Sequence, residues 1–430
     1  MDTFGHFFLS DQRTKETDKV TMFVIQMKNA LRGLSAPAAW QTPRSFSYEI
    51  KATDIFGYIY KAEHVTKNTV AMSTQSKPFS FKGQRIFVGL DVHLRSWSVT
   101  VLSEQAVLKK FTQDPSPVAL NKFLTNTYPD AEYYSVYEAG FCGFWIHWEL
   151  CNLGINNIVV NPADVPTMAG ERLRKTDAVD SGKLARSLRA GELKGIYVPD
   201  SVATEIRSLI RLRDSLTKDL TRHKNRIKSH LRYLGIDIPE EFQRPGCAWT
   251  NKFVLWLKGL ELETDYGKKT LDLLIAQYED LRAQQLKLMK ELRVLSRTER
   301  FEEPLKYLMS VPGIGQLAGL TILSEVDDIT RFKDASCFAS YIGIVPMCHS
   351  SGAHDGIGDI TVRRHAKLRW LIVEAAWVAS RKDPVLSAAY VEYCRKMKPS
   401  KAIIKIARRL VNRIYFVMKH QQPYVNCYVS

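Results

Sequence analysis

The chain has 430 residues, 45% of them hydrophobic, and its 61 Lys and Arg against 45 Asp and Glu leave a formal charge of +16. That length allows two or three domains, each with its own core. No apolar run approaches the roughly 20 residues that cross a bilayer and no signal-peptide pattern opens the chain, so no membrane-spanning helix is expected. The basic surplus suits polyanions, since each Lys or Arg that neutralises a phosphate releases a condensed counterion; a ribosome-associated protein or a membrane-surface binder would fit the charge as well.

Residues 1–80 read as an N-terminal extension of unknown role. Met72 and the polar run Ser73 to Pro78 look like an ordinary protein start, so residues 1–71 are expected to be an appendage or a start-site artefact. From Arg85 the pattern sharpens. Ile86 to Val92 is an apolar run ending in an acid, as in a buried strand. Ser96–Leu102 and Val107–Phe111 read as further strands, Val118–Thr127 as a helix, Tyr133–Tyr137 as a strand, Phe144–Leu153 as a helix and Ile155–Val160 as a strand stopped by Asn161-Pro162. This alternation argues for an α/β domain over 81–200. Residues 176–190 have helical spacing. Two amphipathic helices, Ala203–Leu234 and about Lys269–Leu295, flank an irregular stretch with Pro239, Pro245 and Gly246 and predict a helical hairpin arm over 201–300. Residues 301–430 form a third, mostly helical unit with a basic helix over Lys396–Arg413. The seven cysteines are dispersed, with no C-x-x-C pair, as expected of reduced thiols in a cytosol.

Four acids stand out: Asp91 and Glu138 at strand ends, and Asp177 with Asp180 on one helix face. Carboxylates gathered at one place repel one another unless a cation holds them, and hard oxygen donors suit Mg²⁺ or Mn²⁺. A strand-end Asp that forms a turn and a helix-start Asp that meets the helix dipole are the plainer alternatives.

The segments Val88-Gly89-Leu90-Asp91-Val92, Tyr137-Glu138-Ala139-Gly140, Val160-Asn161-Pro162 and Lys175-Thr176-Asp177-Ala178-Val179-Asp180 resemble, in order and spacing, the DEDD-type transposases of the insertion sequence 110 family. Leu188 to Leu193 and Val198-Pro199-Asp200 are also similar to one branch of that family, and the likeness runs from about residue 85 to 420. The resemblance implies a RuvC-like domain of RNase H fold, a helical or coiled-coil arm and a mostly α-helical C-terminal transposase domain. It assigns Asp91, Glu138, Asp177 and Asp180 to a metal site.

Val311-Pro312-Gly313-Ile314-Gly315 leads into an apolar helix, Leu317–Leu323. It reads either as a tight turn or as a helix start whose N–H groups bind phosphate. Further on, Tyr341 to Pro346, His349-Ser350-Ser351-Gly352 and Gly358-Asp359-Ile360-Thr361 read by themselves as a flexible loop. In the resembling family this block carries the nucleophilic serine, which falls on Ser351 with Ser350 in reserve. Arg363, Arg364, Lys367 and Arg369 would then stabilise charge on the attacked phosphate, and Lys405, Arg408 and Arg409 would contact phosphates alongside. The chain departs from the family at Val362-Arg363-Arg364-His365, where Lys-x-Gly-Asn is usual, and at Ala353.

The expected function is therefore a transposase: a bacterial, cytosolic and nucleoid-associated recombinase of double-stranded DNA. It would act through a serine–DNA intermediate as a dimer or tetramer, guided by a structured bridge RNA. A metal-dependent RuvC-like nuclease or junction resolvase, and an inactive nucleic-acid-binding remnant, are the alternatives.

Overall fold

A computed structural model describes residues 80–168, 176–244, 246–351 and 354–425, and only the backbone of 348–351 and 354–357. The expectations for residues 1–71, Gly352 and Ala353 lie outside the described residues. The described residues form one compact unit.

Five strands come first: β1 (Arg85–Val92), β2 (Trp97–Leu102), β3 (Val107–Gln113), β4 (Glu132–Glu138) and β5 (Asn156–Val160). They make one mixed sheet in the order β3-β2-β1-β4-β5, with β1 to β3 antiparallel and β4 and β5 parallel to β1. β1 lies in the middle and is covered on both faces, which is why its sequence is a continuous apolar run rather than an alternation. β3 is the exposed edge, and Lys109 and Lys110 on it discourage pairing with a further strand. Helix α1 (Pro117–Thr127) starts where the Ser116 hydroxyl accepts from the Ala119 N–H and Pro117 takes the first helical position. α2 (Trp145–Asn152) follows β4, and one core joins these helices to the sheet through Leu90, Trp97, Leu120 and Ile146. α3 (Asp177–Arg189) packs on β1 and β2, with acids in its first turn and Arg186 and Arg189 in its last, as its dipole favours. The N-terminal part is thus a mixed sheet with helices, consistent with a DEDD nuclease-like fold.

The arm is formed by α4 (Ser201–Tyr233) and α7 (Asp265–Leu295). Ile210 and Leu216 share a core with Leu288 and Leu292, whereas Ile227 and Leu231 share one with Leu271 and Ile275. The two helices are therefore antiparallel. α4 is about 50 Å long at 1.5 Å per residue. The stretch expected to be irregular between them instead holds two short helices, α5 (Glu240–Gln243) and α6 (Asn251–Lys258). Phe242, Trp249, Phe253, Trp256 and Tyr278 cluster there and close the end of the arm. Aromatic burial, which no apolar periodicity over so short a segment reveals, organises this tip.

The C-terminal part is helical: α8 (Glu302–Met309), α9 (Gln316–Val326), α10 (Ala335–Ile342), α11 (Ala366–Lys382), α12 (Pro384–Lys396) and α13 (Pro399–His420) share one core. The helix expected over Lys396–Arg413 starts at Pro399, just after α12 ends at Lys396, and runs on to His420. Two strands interrupt the helices, β6 (Pro346–Ser351) and β7 (His354–Ile360), paired as an antiparallel hairpin. Among the described residues no helix is long and apolar enough to cross a membrane.

Candidate active site

Asp91 lies near the end of β1 and Glu138 ends β4, and the parallel register that sets Leu90 opposite Tyr137 brings the two acids to the same sheet edge. α3 reaches that edge because Gly89 has no side chain: a Cβ there would lie 2.1 Å from the Ser181 carbonyl oxygen and 2.5 Å from the Ala185 nitrogen. The buried polar groups of β2 are satisfied by the same helix, since Ser98 and Thr100 hydroxyls lie 3.3 and 2.9 Å from that of Ser181. Asp177 and Asp180, in the first turn of α3, are thereby set against β1 and β4.

Two nitrogens knit the acids together. His93 Nε2 lies 3.2 Å from Asp91 Oδ2 and 3.6 Å from Asp177 Oδ2. Lys183 Nζ lies 3.5 Å from Glu138 Oε1 and 3.4 Å from Asp180 Oδ1. Burial raises the Asp91 carboxyl above its ordinary value; His93 opposes that and the charges of Asp177 and Asp180 add to it. Ligand atoms of Asp91, His93 and Asp177 all lie within 4.8 Å of one another. Two carboxylates and one imidazole at that spacing fit a divalent cation, whereas Glu138 and Asp180, held by Lys183, are not in that group. Sequence reasoning missed His93 and Lys183. Their signals were the two-residue step from Asp91 across the end of β1 and the three-residue step from Asp180 along one helix face.

Ser351 is the last residue of β6, its backbone opposite His354, and Ser350 is opposite Asp355. The expected flexible loop is thus a strand pair; the side chains of both serines lie outside the described residues. Past the hairpin, Arg363 grips Asp164 with both terminal nitrogens at 2.5 Å, and Asp164 belongs to the turn after β5. That hydrogen bond holds the Asp164 carboxyl below its usual range. Lys367 Nζ lies 2.5 Å from Asp214 of α4. Arg364 donates to the Val362 carbonyl at 3.4 Å, and Arg369 donates to the carbonyls of Gly343 and Thr361. On α13, Lys405 and Arg409 lie over the Tyr393 ring, and Arg408 donates to the Ala335 carbonyl and Ser336 hydroxyl. Gly313 has φ 91°, and a Cβ on it would lie 2.3 Å from the Ala375 carbonyl oxygen, so this turn packs tightly on α11.

Two models of known families match the chain. One, described as transposase and named for the DEDD transposases of IS110, matches residues 88–235; the other, described as transposase IS116/IS110/IS902 family, matches 305–391. Together they cover more than half of the sequence. The chain belongs to the IS110/IS116 family of transposases. The IS1533 insertion-element transposase of Leptospira borgpetersenii is 25% identical over 353 residues, 79% of this chain and 97% of that protein. The y4qE protein of Sinorhizobium fredii is 29% identical over 248 residues, 57% of this chain and 58% of that protein. The transposase of IS1111A from Coxiella burnetii is 24% identical over 237 residues, 55% of this chain and 63% of that protein. The chain thus spans less than two thirds of two of these relatives. In this IS110/IS116-family chain the DEDD match includes all four acids with His93 and Lys183, and the second match includes Ser351 and Arg363 to Arg369. A DEDD transposase domain suggests use of a divalent metal.

Proposed function

We propose that this chain is a site-specific DNA recombinase that excises and inserts an insertion sequence, with Ser351 as nucleophile and Asp91, Glu138, Asp177 and Asp180 as an assisting carboxylate site. The observation that carries the reading is that Asp91 with Asp177 and Glu138 with Asp180 pair up at the adjacent ends of β1 and β4 in a transposase-family chain. The strand order supports a RuvC-like domain of RNase H fold. Before DNA binds, the Arg363–Asp164 grip holds the turn beyond β5 beside the segment after the serine hairpin, which supports joint action of the two parts.

In the proposed step the serine Oγ forms a bond to phosphorus and the bridging P–O bond breaks. The released strand end leaves as a hydroxyl carrying the serine proton, and the reverse step joins a new strand. Arg363 and Lys367 stabilise the phosphate charge, which takes the place that Asp164 and Asp214 hold here. Mg²⁺ or Mn²⁺ held by the four carboxylates would supply Lewis-acid polarisation of a phosphate oxygen. A structured bridge RNA guides the choice of site, and a dimer or tetramer in the bacterial cytosol acts on double-stranded DNA.

Trapping of protein–DNA adducts under denaturing conditions tests the chemistry. Ser351→Ala is expected to abolish the adduct while leaving DNA binding within about twofold, and Ser350→Ala to retain it. Adducts that persist in Ser351→Ala but vanish in Ser350→Ala move the nucleophile by one residue. Recombination by the double variant hands the chemistry to the acids alone, as in a junction resolvase. Equal affinity for RNA from the element's own non-coding end and for scrambled RNA removes guidance.

A further inference from the structure

Between the base of the β6–β7 hairpin and the first turns of α13 lies an open cavity of about 610 Å³. Its walls are mostly apolar, with Ile344, Ile360, Met397 and Ile404 among them, and its volume falls within the roughly 300–1,000 Å³ of small-molecule sites. Its charged lining is lopsided. Asp359, its one acid, lies 3.3 Å from Lys401, so the two offset each other. Lys405 and Arg408 have no carboxylate within 4.0 Å among the described residues, and Arg408 is held in place by its bonds to Ala335 and Ser336.

An occupant must therefore bring an apolar, flat or compact body together with negative charge. A second copy of this chain, at +16, is a poor source of that charge. A bare phosphate leaves the apolar walls unused. A paired duplex presents phosphates but keeps its bases stacked inside. We infer that this groove takes one unpaired nucleotide of the DNA, the base against Ile360 and Ile404 and the phosphate at Lys405 and Arg408. Proteins that hold a base outside the stack commonly place it between apolar or aromatic side chains in this way. The inference rests on the DNA-acting part of the proposed function but not on the choice of serine. β6 runs about 17 Å from Pro346 to Ser351 at 3.3 Å per residue, on the order of five stacked nucleotides. The unpaired base would thus lie within a few nucleotides of the hairpin end.

The test uses the full chain and two duplexes of one sequence, one fully paired and one with a single bulged 2-aminopurine. The bulged duplex is expected to bind at least about tenfold more tightly, with a change in 2-aminopurine fluorescence on binding. Ile404, partly buried on α13, lines the groove and packs against the rim of the C-terminal core. Ile404→Trp should bring the preference within about twofold while leaving the paired duplex unaffected. Lys405→Ala should weaken the bulged complex severalfold more than the paired one, and circular dichroism checks that both variants fold. Equal affinity of the wild type for both duplexes overturns the inference and leaves the DNA-acting reading intact. A bulge preference untouched by both variants also overturns it, and if Ile404→Trp at the same time changes the oligomeric state, the groove belongs to a second copy. No binding to either duplex overturns both readings.

Discussion

Gly89 shows how one residue sets the geometry of the acids. The atoms that a Cβ at 89 would strike belong to the backbone of α3, at 2.1 and 2.5 Å, so no rotation of a side chain can make room. Gly89→Ala should push α3 away from β1 at a cost of about 1–3 kcal/mol or more, as overpacking does. Because α3 carries Asp177 and Asp180, recombination should fall more than stability alone explains. Gly182→Ala is the control: its new methyl meets only side-chain atoms at 3.4 Å or beyond and gains helix propensity of roughly 1 kcal/mol. Thermal unfolding and a recombination assay on both variants decide it; equal melting temperatures for Gly89→Ala and the wild type would refute the packing argument. At this scale the acids were legible because strand ends and a three-residue helical step are local signals. His93 and Lys183 were less so: each has one local partner, Asp91 or Asp180, but the second, Asp177 for His93 and Glu138 for Lys183, comes within reach only when α3 docks over a glycine.

Among the elements, the joint between α4 and α9 turns on Glu325, which is 3% exposed. Arg211 of α4 holds it with two bonds of 2.8 and 2.7 Å, Arg207 lies 3.6 Å away and His365 3.3 Å, while the Tyr341 hydroxyl donates to its backbone carbonyl. Burial by itself would raise this carboxyl; the hydrogen bonds and charges of Arg211 and His365 outweigh it and bring the value to about 2 from an ordinary 4.5. A carboxylate depressed in the fold stabilises in full above its unfolded value and loses that contribution as pH falls through the folded one. Glu325 should thus contribute on the order of 3 kcal/mol above pH 4.5, fading towards pH 2. Glu325→Gln should cost about 3–5 kcal/mol at neutral pH, since two arginines lose their counter-charge. Calorimetric stability measured from pH 7 to pH 2.5 should show the two proteins converging, and a constant gap would exclude this origin. The long helices of the arm were legible from their periodicity. The β6–β7 hairpin was not, because backbone pairing carries it through a stretch rich in Ser, Gly and Asp, where composition says loop.

The surplus of +16 belongs to the whole molecule, and composition read it without any fold, yet its distribution needed the structure. α4 has nine Lys or Arg against three Asp or Glu, whereas its partner α7 has six against five, so the arm is basic on one helix. Within α4 the exposed residues Lys218, Arg222, Arg226 and Arg232 fall on about a third of the helix circumference over about 21 Å. Arg222 is paired at 2.8 Å with Asp219, an exposed contact that solvent weakens. Such a row can follow a phosphate backbone but has no geometry for reading base edges. Affinity for duplex DNA should therefore fall steeply with salt, each neutralised phosphate contributing about −0.9 to the slope of log affinity on log salt. Replacing all four residues by Ala should flatten that slope by about 3 to 4, leave the ratio between specific and random sequences unchanged, and preserve the helical circular dichroism. A slope that stays put would show that the surplus acts elsewhere, on the C-terminal helices. A changed sequence ratio at constant slope would show that the arm reads bases after all.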